Sequence, residues 1–256
     1  MAHRHLIIPD TQVKKGVPTE HLSWAAQAAI DYKPDVIVHL GDHWDMPSLS
    51  MYDAPGSKKM EGARYEDDVS YGNVAFKLLN DPIQDEIKRL KRNKKKHWEP
   101  EFHFLFGNHE HRITRALSRE PKFEGCIGLH HLDTCGWERH DYLNVVIIHG
   151  IYYSHFFQSS HSANAIGGSI DNRMNKIGES FVQGHVQGML YAPKTYPTGQ
   201  TKHGLVAGSF YQHEEEYRGP QGNKHWNGIV VLNEVDDGDY NIMPLSMNYL
   251  RKKYGT

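Results

Sequence analysis

Five hydrophobic runs in this chain each stop at a short motif of carboxylate, amide and imidazole residues. Residues 6–9 lead into Asp10-Thr11-Gln12, 36–40 into Gly41-Asp42-His43-Trp44-Asp45, and 102–106 into Gly107-Asn108-His109-Glu110. Residues 145–148 lead into His149-Gly150, and 181–183 into Gly184-His185-Val186-Gln187. Runs of this kind read as strands, and residues 36–40 as one buried on both faces. Strands that end in such groups can aim them at one point beyond the edge of a sheet. Oxygen and imidazole donors gathered at a point make a metal site. The 19 histidines among 256 residues fit that reading, because imidazole is the commonest metal ligand.

The order of elements points to an α/β fold of two sheets with helices outside. Leu22, Ala25, Ala26, Ala29 and Ile30 share one face of a helix that Thr19 would cap. That helix stands between the first two strands, so a parallel pair is expected. Residues 46–70 read as a polar, irregular insertion. A helix over 71–96 follows, with a kink or break expected at Asn80-Asp81-Pro82. Its basic end, 88–96, suits the helix dipole and could also meet a phosphate polymer. Further strands are expected at 204–210, 228–234 and 240–243, the last two joined by a turn at Asp236-Asp237-Gly238, with a helical stretch at 162–177. No repeat or linker divides the chain, so 1–256 is expected to be one domain.

A net charge of −2 gives no global attraction to nucleic acid or membranes, so any such contact must be local. Cys126 and Cys135 are too few for a disulfide framework and read as reduced thiols. No apolar stretch approaches the length of a bilayer span, and the residues before the first strand have no apolar signal core. A cytoplasmic protein is the expectation.

Together the five motifs resemble those of the calcineurin-like metallophosphoesterase superfamily, whose pattern is Asp-x-His, Gly-Asp-x-x-Asp, Gly-Asn-His-Asp/Glu, a later His, and Gly-His-x-His. The resemblance spans most of residues 10–187. It implies an αββα sandwich of two mixed sheets flanked by helices, with two metal ions at the carboxyl ends of the strands. One ion would take Asp42, Asn108, His149 and His185, with His155 the substitute if His149 does not serve. The other would take Asp10, Gln12, Asp42 and Gln187. Both glutamines stand where the family has histidine, and both fall on the same ion. An all-oxygen set suits Mn²⁺ or Mg²⁺ better than Zn²⁺ and binds more weakly. A two-metal enzyme and a protein with one firm and one recruited ion both remain open. The resemblance gives proton delivery to His109, with Asp45 holding its imidazole.

The function implied is hydrolysis of a phosphate ester by metal-activated water, with a phosphodiester of DNA, RNA or a nucleotide as substrate. The alternatives are a phosphomonoesterase or nucleotide phosphatase, and a catalytically degenerate module that binds a single metal. Met46-Pro47 replaces the Arg-Gly that follows this motif in phosphoprotein phosphatases, which argues against that branch. Asp10-Thr11-Gln12, Met46-Pro47-Ser48-Leu49-Ser50 and Gly219-Pro220-Gln221-Gly222-Asn223-Lys224-His225-Trp226 look similar to bacteriophage phosphoesterases. That likeness implies a viral protein acting in a bacterial cytoplasm. Arg64, Arg112 and Arg218 are candidate phosphate ligands, and Tyr65, Tyr211 and Trp226 candidate stacking platforms.

Overall fold

The computed structural model describes residues 2–51, 60–95, 97–215 and 219–255. β1 (His3–Ile8), α1 (His21–Tyr32) and β2 (Val36–His39) form a strand–helix–strand unit with Leu6 beside Ile37 and Ile7 beside Val38. α2 (Tyr65–Arg92) leads to β3 (Glu101–Leu105), and α3 (His111–Arg119) to β4 (Glu138–His140), each strand parallel to its predecessor. A second sheet is built from β5 (Val146–Ile148), β6 (Ile151–Ser154), β7 (Phe181–Gln183), β8 (Met189–Thr195) and β9 (Thr201–Ala207), with α4 (Ile170–Ile177) between β6 and β7. The short α5 (Gly219–Gly222) precedes a hairpin of β10 (Gly228–Asp236) and β11 (Asp239–Ser246), and α6 (Met247–Tyr254) follows it.

The strand orders are β11-β10-β1-β2-β3-β4 and β5-β6-β7-β9-β8. Both sheets are mixed: β1, β2, β3 and β4 are parallel, as are β6, β7 and β9, and the outer partners run antiparallel.

Side-chain alternation along the strands creates the layers. Leu6 and Ile8 face one side of the first sheet and pack with Leu22, Ala25 and Ala29 of α1 and Phe76 and Leu79 of α2. Ile7, Val38 and Leu105 face the other side and meet Tyr153, Val182 and Leu205 of the second sheet. Phe157, Met174 and Phe181 pack together on the outer face of that sheet, beneath α4. The layers therefore run helix, sheet, sheet, helix. Every residue of β2 is buried because it has a layer on both sides, and each such aliphatic side chain contributes about 1.5–3 kcal/mol.

Several local expectations are corrected. α2 begins at Tyr65 and continues through Pro82 without a break at 80–82. Leu79 and Ile83, on either side of the proline, are both buried in the core. Asn80 Oδ1 also accepts from Trp137 Nε1 at 3.0 Å, and this packing offsets the ~3 kcal/mol that an interior proline costs. Of the expected insertion, 65–70 is helical, with Glu66, Asp67 and Asp68 favourably placed at the positive end of the dipole. Residues 52–59 lie outside the described residues. α1 starts at His21 without a side-chain cap, so Thr19 caps nothing. The helical stretch expected at 162–177 shrinks to 170–177, capped by Ser169, whose Oγ accepts from Asn172 N. β4, β6 and β8 are additional strands; β8 tolerates Pro193 because it is an edge strand. Among the described residues no helix is long and apolar enough to cross a membrane.

Candidate metal centre

β1, β2 and β3 of one sheet and β6 and β7 of the other all deliver a polar residue just beyond their carboxyl ends. Backbone hydrogen bonds tie these exits together. Gln12 N donates to Asp42 O at 2.8 Å, Asp45 N to Val13 O at 3.0 Å, and Gly184 N to His155 O at 3.1 Å. The conformations are costly: Gln12, Asp42 and His185 have φ of 40°, 50° and 66°, in the left-handed region that L-residues avoid. Such strain persists only where surrounding contacts hold it, and it concentrates at functional sites. Gly107 and Gly184 complete the cradle, since a Cβ on either would collide with Asp42 Oδ1 or Asp10 Oδ1 respectively.

Glu110 is the buried staple of this loop cluster. Its Oε1 accepts from His43 N (2.7 Å) and Trp44 N (3.0 Å), and its Oε2 from Asp42 N (3.0 Å) and Gly107 N (2.8 Å). Burial and the nearby Asp42 charge push its pKa up to about 7, against the pull of these donors. Glu110→Gln would turn an amide NH₂ towards two of the four N–H groups and leave both unsatisfied. The expected cost is about 3 kcal/mol, a fall of roughly 10 °C in Tm at pH 8. A melting temperature within a degree of wild type would show that these four bonds do not hold the loop.

Asp42, His155 and His185 form a group able to hold a metal ion. Asn108 Oδ1 sits 3.0 Å from His155 Nε2 and 2.7 Å from His185 Nδ1, and Asp42 Oδ2 lies 3.3 Å from His155 Nε2. An octahedral ion with ligands at about 2.1 Å has neighbouring donors about 3.0 Å apart, so these spacings match the edges of a coordination shell. His155 Nδ1–H donates to Leu40 O at 2.7 Å, which fixes the tautomer and aims Nε2 at the cluster.

His155 replaces His149, which is corrected. His149 (φ 48°) and Gly150 (φ 80°) form the two-residue turn of the antiparallel β5–β6 hairpin. β5 therefore runs away from the site, and His149 sits at the opposite end of the sheets. There its ring stacks on His3 at 3.5 Å and its Nδ1 lies 2.8 Å from His5 Nε2. β6 runs back and delivers His155.

The second donor set is brought together in part. Asp10 Oδ1 accepts from His185 N at 3.0 Å, while the buried Asp10 Oδ2 has no hydrogen-bond partner among the described residues. Burial, with Asp42 adding to it, pushes the Asp10 pKa up to about 7 despite the opposing charge of His155. Gln12 and Gln187 are both buried, with Gln187 Nε2 3.5 Å from Gln12 Oε1, a distance at which little hydrogen bonding remains. A buried carboxylate oxygen without a donor is an environment that a divalent cation would satisfy.

Beside Asp42 lies a histidine–carboxylate pair. His109 Nδ1 is 2.6 Å from Asp45 Oδ1, and His109 Nε2 is 3.7 Å from Asp42 Oδ2. Burial disfavours the imidazolium, but the two carboxylates prevail and raise the His109 pKa to about 9. In the same way Asp42 raises His155 to about 10 against burial, whereas burial and His155 lower His185 to about 4. Asp42 and Asp45 are held well below the carboxylate range by their histidines, against the desolvation that would raise them. Lys14 braces Asp45 at 2.9 Å and Glu215 at 2.6 Å, and Glu215 also meets His213 Nε2 at 2.7 Å. No sequence signal marks Lys14 or Glu215.

The expected substrate ligands are less concentrated. Arg112 NH1 donates to the carbonyls of Asp45 (2.7 Å) and Met46 (3.2 Å), so it buttresses the loop, with NH2 3.5 Å from His109 Nε2. Arg64 is exposed and bonds the carbonyl of its neighbour Ala63. Trp226 packs over Gly208 and Gly228, Tyr65 anchors Gly128 and His131, and Tyr211 is buried against His213. Arg218 lies outside the described residues.

Compared with known proteins, the chain matches no family model and no curated sequence.

Proposed function

We propose that the chain is a calcineurin-like metallophosphoesterase that hydrolyses a phosphodiester of a nucleic acid or nucleotide. The observation that carries this reading is the convergence of donors from both sheets, Asp42, Asn108, His155 and His185, directly beside the buried Asp45–His109 pair. A purely structural metal needs no such pair.

Asp42, Asn108, His155 and His185 would hold one divalent ion, and Asp10, Gln12, Asp42 and Gln187 the other, with Mn²⁺ or Mg²⁺ suited to the oxygen-rich second set. Ions held there supply positive charge for the phosphoryl oxygens and acidify the attacking water. The chain's own contribution is orientation and proton transfer. Asp45 accepts from His109 Nδ1–H, which leaves Nε2–H to protonate the departing oxygen. Lys14 and Arg112 fix Asp45 and its carbonyl, so the imidazole cannot swing away.

Hydrolysis of a bis-aryl phosphodiester by full-length protein supplied with Mn²⁺ tests the proposal. The expected result is Mn²⁺-dependent turnover that Asp42→Ala abolishes. Turnover no greater than that of Asp42→Ala, on this diester, on an aryl monoester and on linear DNA, would overturn the reading.

A further inference from the structure

A second cluster of metal-binding side chains lies between β3 and β4, away from the candidate centre. His103 pairs with Glu138 and Leu105 with His140 in this parallel ladder. Alternation therefore places His103, Glu138 and His140 on the same face of the sheet. Their donor atoms lie close together, the two rings approaching different oxygens of Glu138. His103 Nδ1 is 3.0 Å from His140 Nε2 and 3.5 Å from Glu138 Oε2, and Glu138 Oε1 is 3.9 Å from His140 Nε2. A tetrahedral ion bound at about 2.0–2.1 Å has donors about 3.3 Å apart, in the middle of this range.

The surroundings are those of a built site. Behind the His103 ring, Glu101 Oε2 lies 3.5 Å from Nε2. A carboxylate on that side favours the Nε2–H tautomer by its charge, which leaves the Nδ1 lone pair towards Glu138 and His140, as outer carboxylates do for ligating histidines. The imidazoles are nearly buried, with side chains 8% and 12% exposed, while Glu138 is 66% exposed and forms the opening to solvent. An ion can thus enter past Glu138 and be held by two rings that the sheet immobilises. A hydrogen bond between the two imidazoles accounts for one of these contacts; a cation would draw both rings and the carboxylate together. None of these residues is among the donors of the centre at the carboxyl ends of the strands.

The geometry points to a peripheral Zn²⁺ site formed by His103, Glu138 and His140, which imidazole and carboxylate ligands suit. It is independent of the phosphoesterase reading. Zn²⁺ titrated calorimetrically into metal-free, full-length protein tests it in an Asp42→Ala, His185→Ala background, which disables the other centre. One equivalent is expected to bind in that background. His140→Ala should remove it, and Glu138→Gln should weaken it about tenfold or more. Co²⁺ in place of Zn²⁺ should give intense visible absorption that is lost in His140→Ala and needs more Co²⁺ to develop in Glu138→Gln. Circular dichroism checks that His140→Ala folds; if it does not, the exposed Glu138→Gln decides alone. Zn²⁺ binding unchanged in the folded variants would overturn the site. So would binding abolished by His149→Ala but not by these substitutions, which would assign the ion to the His3–His149 stack.

Discussion

His155→Ala is expected to weaken Mn²⁺ binding about 100-fold or more, whereas His149→Ala leaves it unchanged. Loss of an outer partner of a metal ligand already costs about 10–100-fold, and loss of the ligand itself costs at least as much. Calorimetry on full-length protein measures the difference. A second readout follows from protonation. In the metal-free protein burial opposes charge on His155, yet Asp42 holds it as an imidazolium up to about pH 10. An ion must therefore displace that proton, and affinity should rise by up to about tenfold per pH unit between pH 6 and 9. His155→Ala should flatten this slope as well as lower the affinity. Equal affinities for the His155→Ala and His149→Ala proteins would refute the assignment of donors.

The exchange of these two histidines shows what the sequence carries and what it does not. An apolar run followed by a polar motif reveals a strand end, because a short apolar run bounded by polar residues suits a strand whatever the topology. It does not reveal which way the strand points. Val145-Val146-Ile147-Ile148 before His149-Gly150 looks like the other four runs, yet it is one arm of a hairpin. The clue was the pair itself, a residue followed by glycine between two apolar stretches, as a two-residue turn requires. The exposure of Val145 and Ile147 marks β5 as a lightly covered edge, which only the assembled sheet displays.

Contacts across long sequence separations were illegible for a different reason. Gln12 and Gln187 stand 175 positions apart, and a family pattern could pair them because it encodes a topology. Lys14 and Glu215, 201 positions apart, belong to no pattern, although together they brace Asp45. Arg112 reads from the sequence as a phosphate ligand because a guanidinium matches phosphate oxygens in bidentate fashion, although loop anchoring suits it equally. Its NH1 instead satisfies two loop carbonyls, which only the folded loop exposes. Trp226 likewise looked like a stacking platform, and its ring is taken up by the close approach of two glycines.

His109→Ala is expected to lower kcat by about 10²–10⁴-fold on an alkyl or nucleotide diester, and far less on an aryl diester. A poor leaving group needs a proton as the bond breaks, and a good one departs as an anion. The loss should therefore track leaving-group basicity if His109 Nε2 donates, and be uniform if His109 merely shapes the loop. The pH profile gives an independent sign. The active form is the imidazolium, so the rate on the alkyl diester should hold at neutral pH and fall as pH rises through the His109 pKa. Burial lowers that pKa, and Asp42 and Asp45 together raise it to about 9. Divalent ions beside Asp42 offset part of that carboxylate's charge, so the limb in the loaded enzyme should lie below 9. Asp45→Asn removes the remaining carboxylate partner and should move the limb to still lower pH, with kcat reduced and KM little changed. An alkaline limb at the same pH in wild type and Asp45→Asn, with equal losses on both diesters in His109→Ala, would reduce the pair to a structural hydrogen bond.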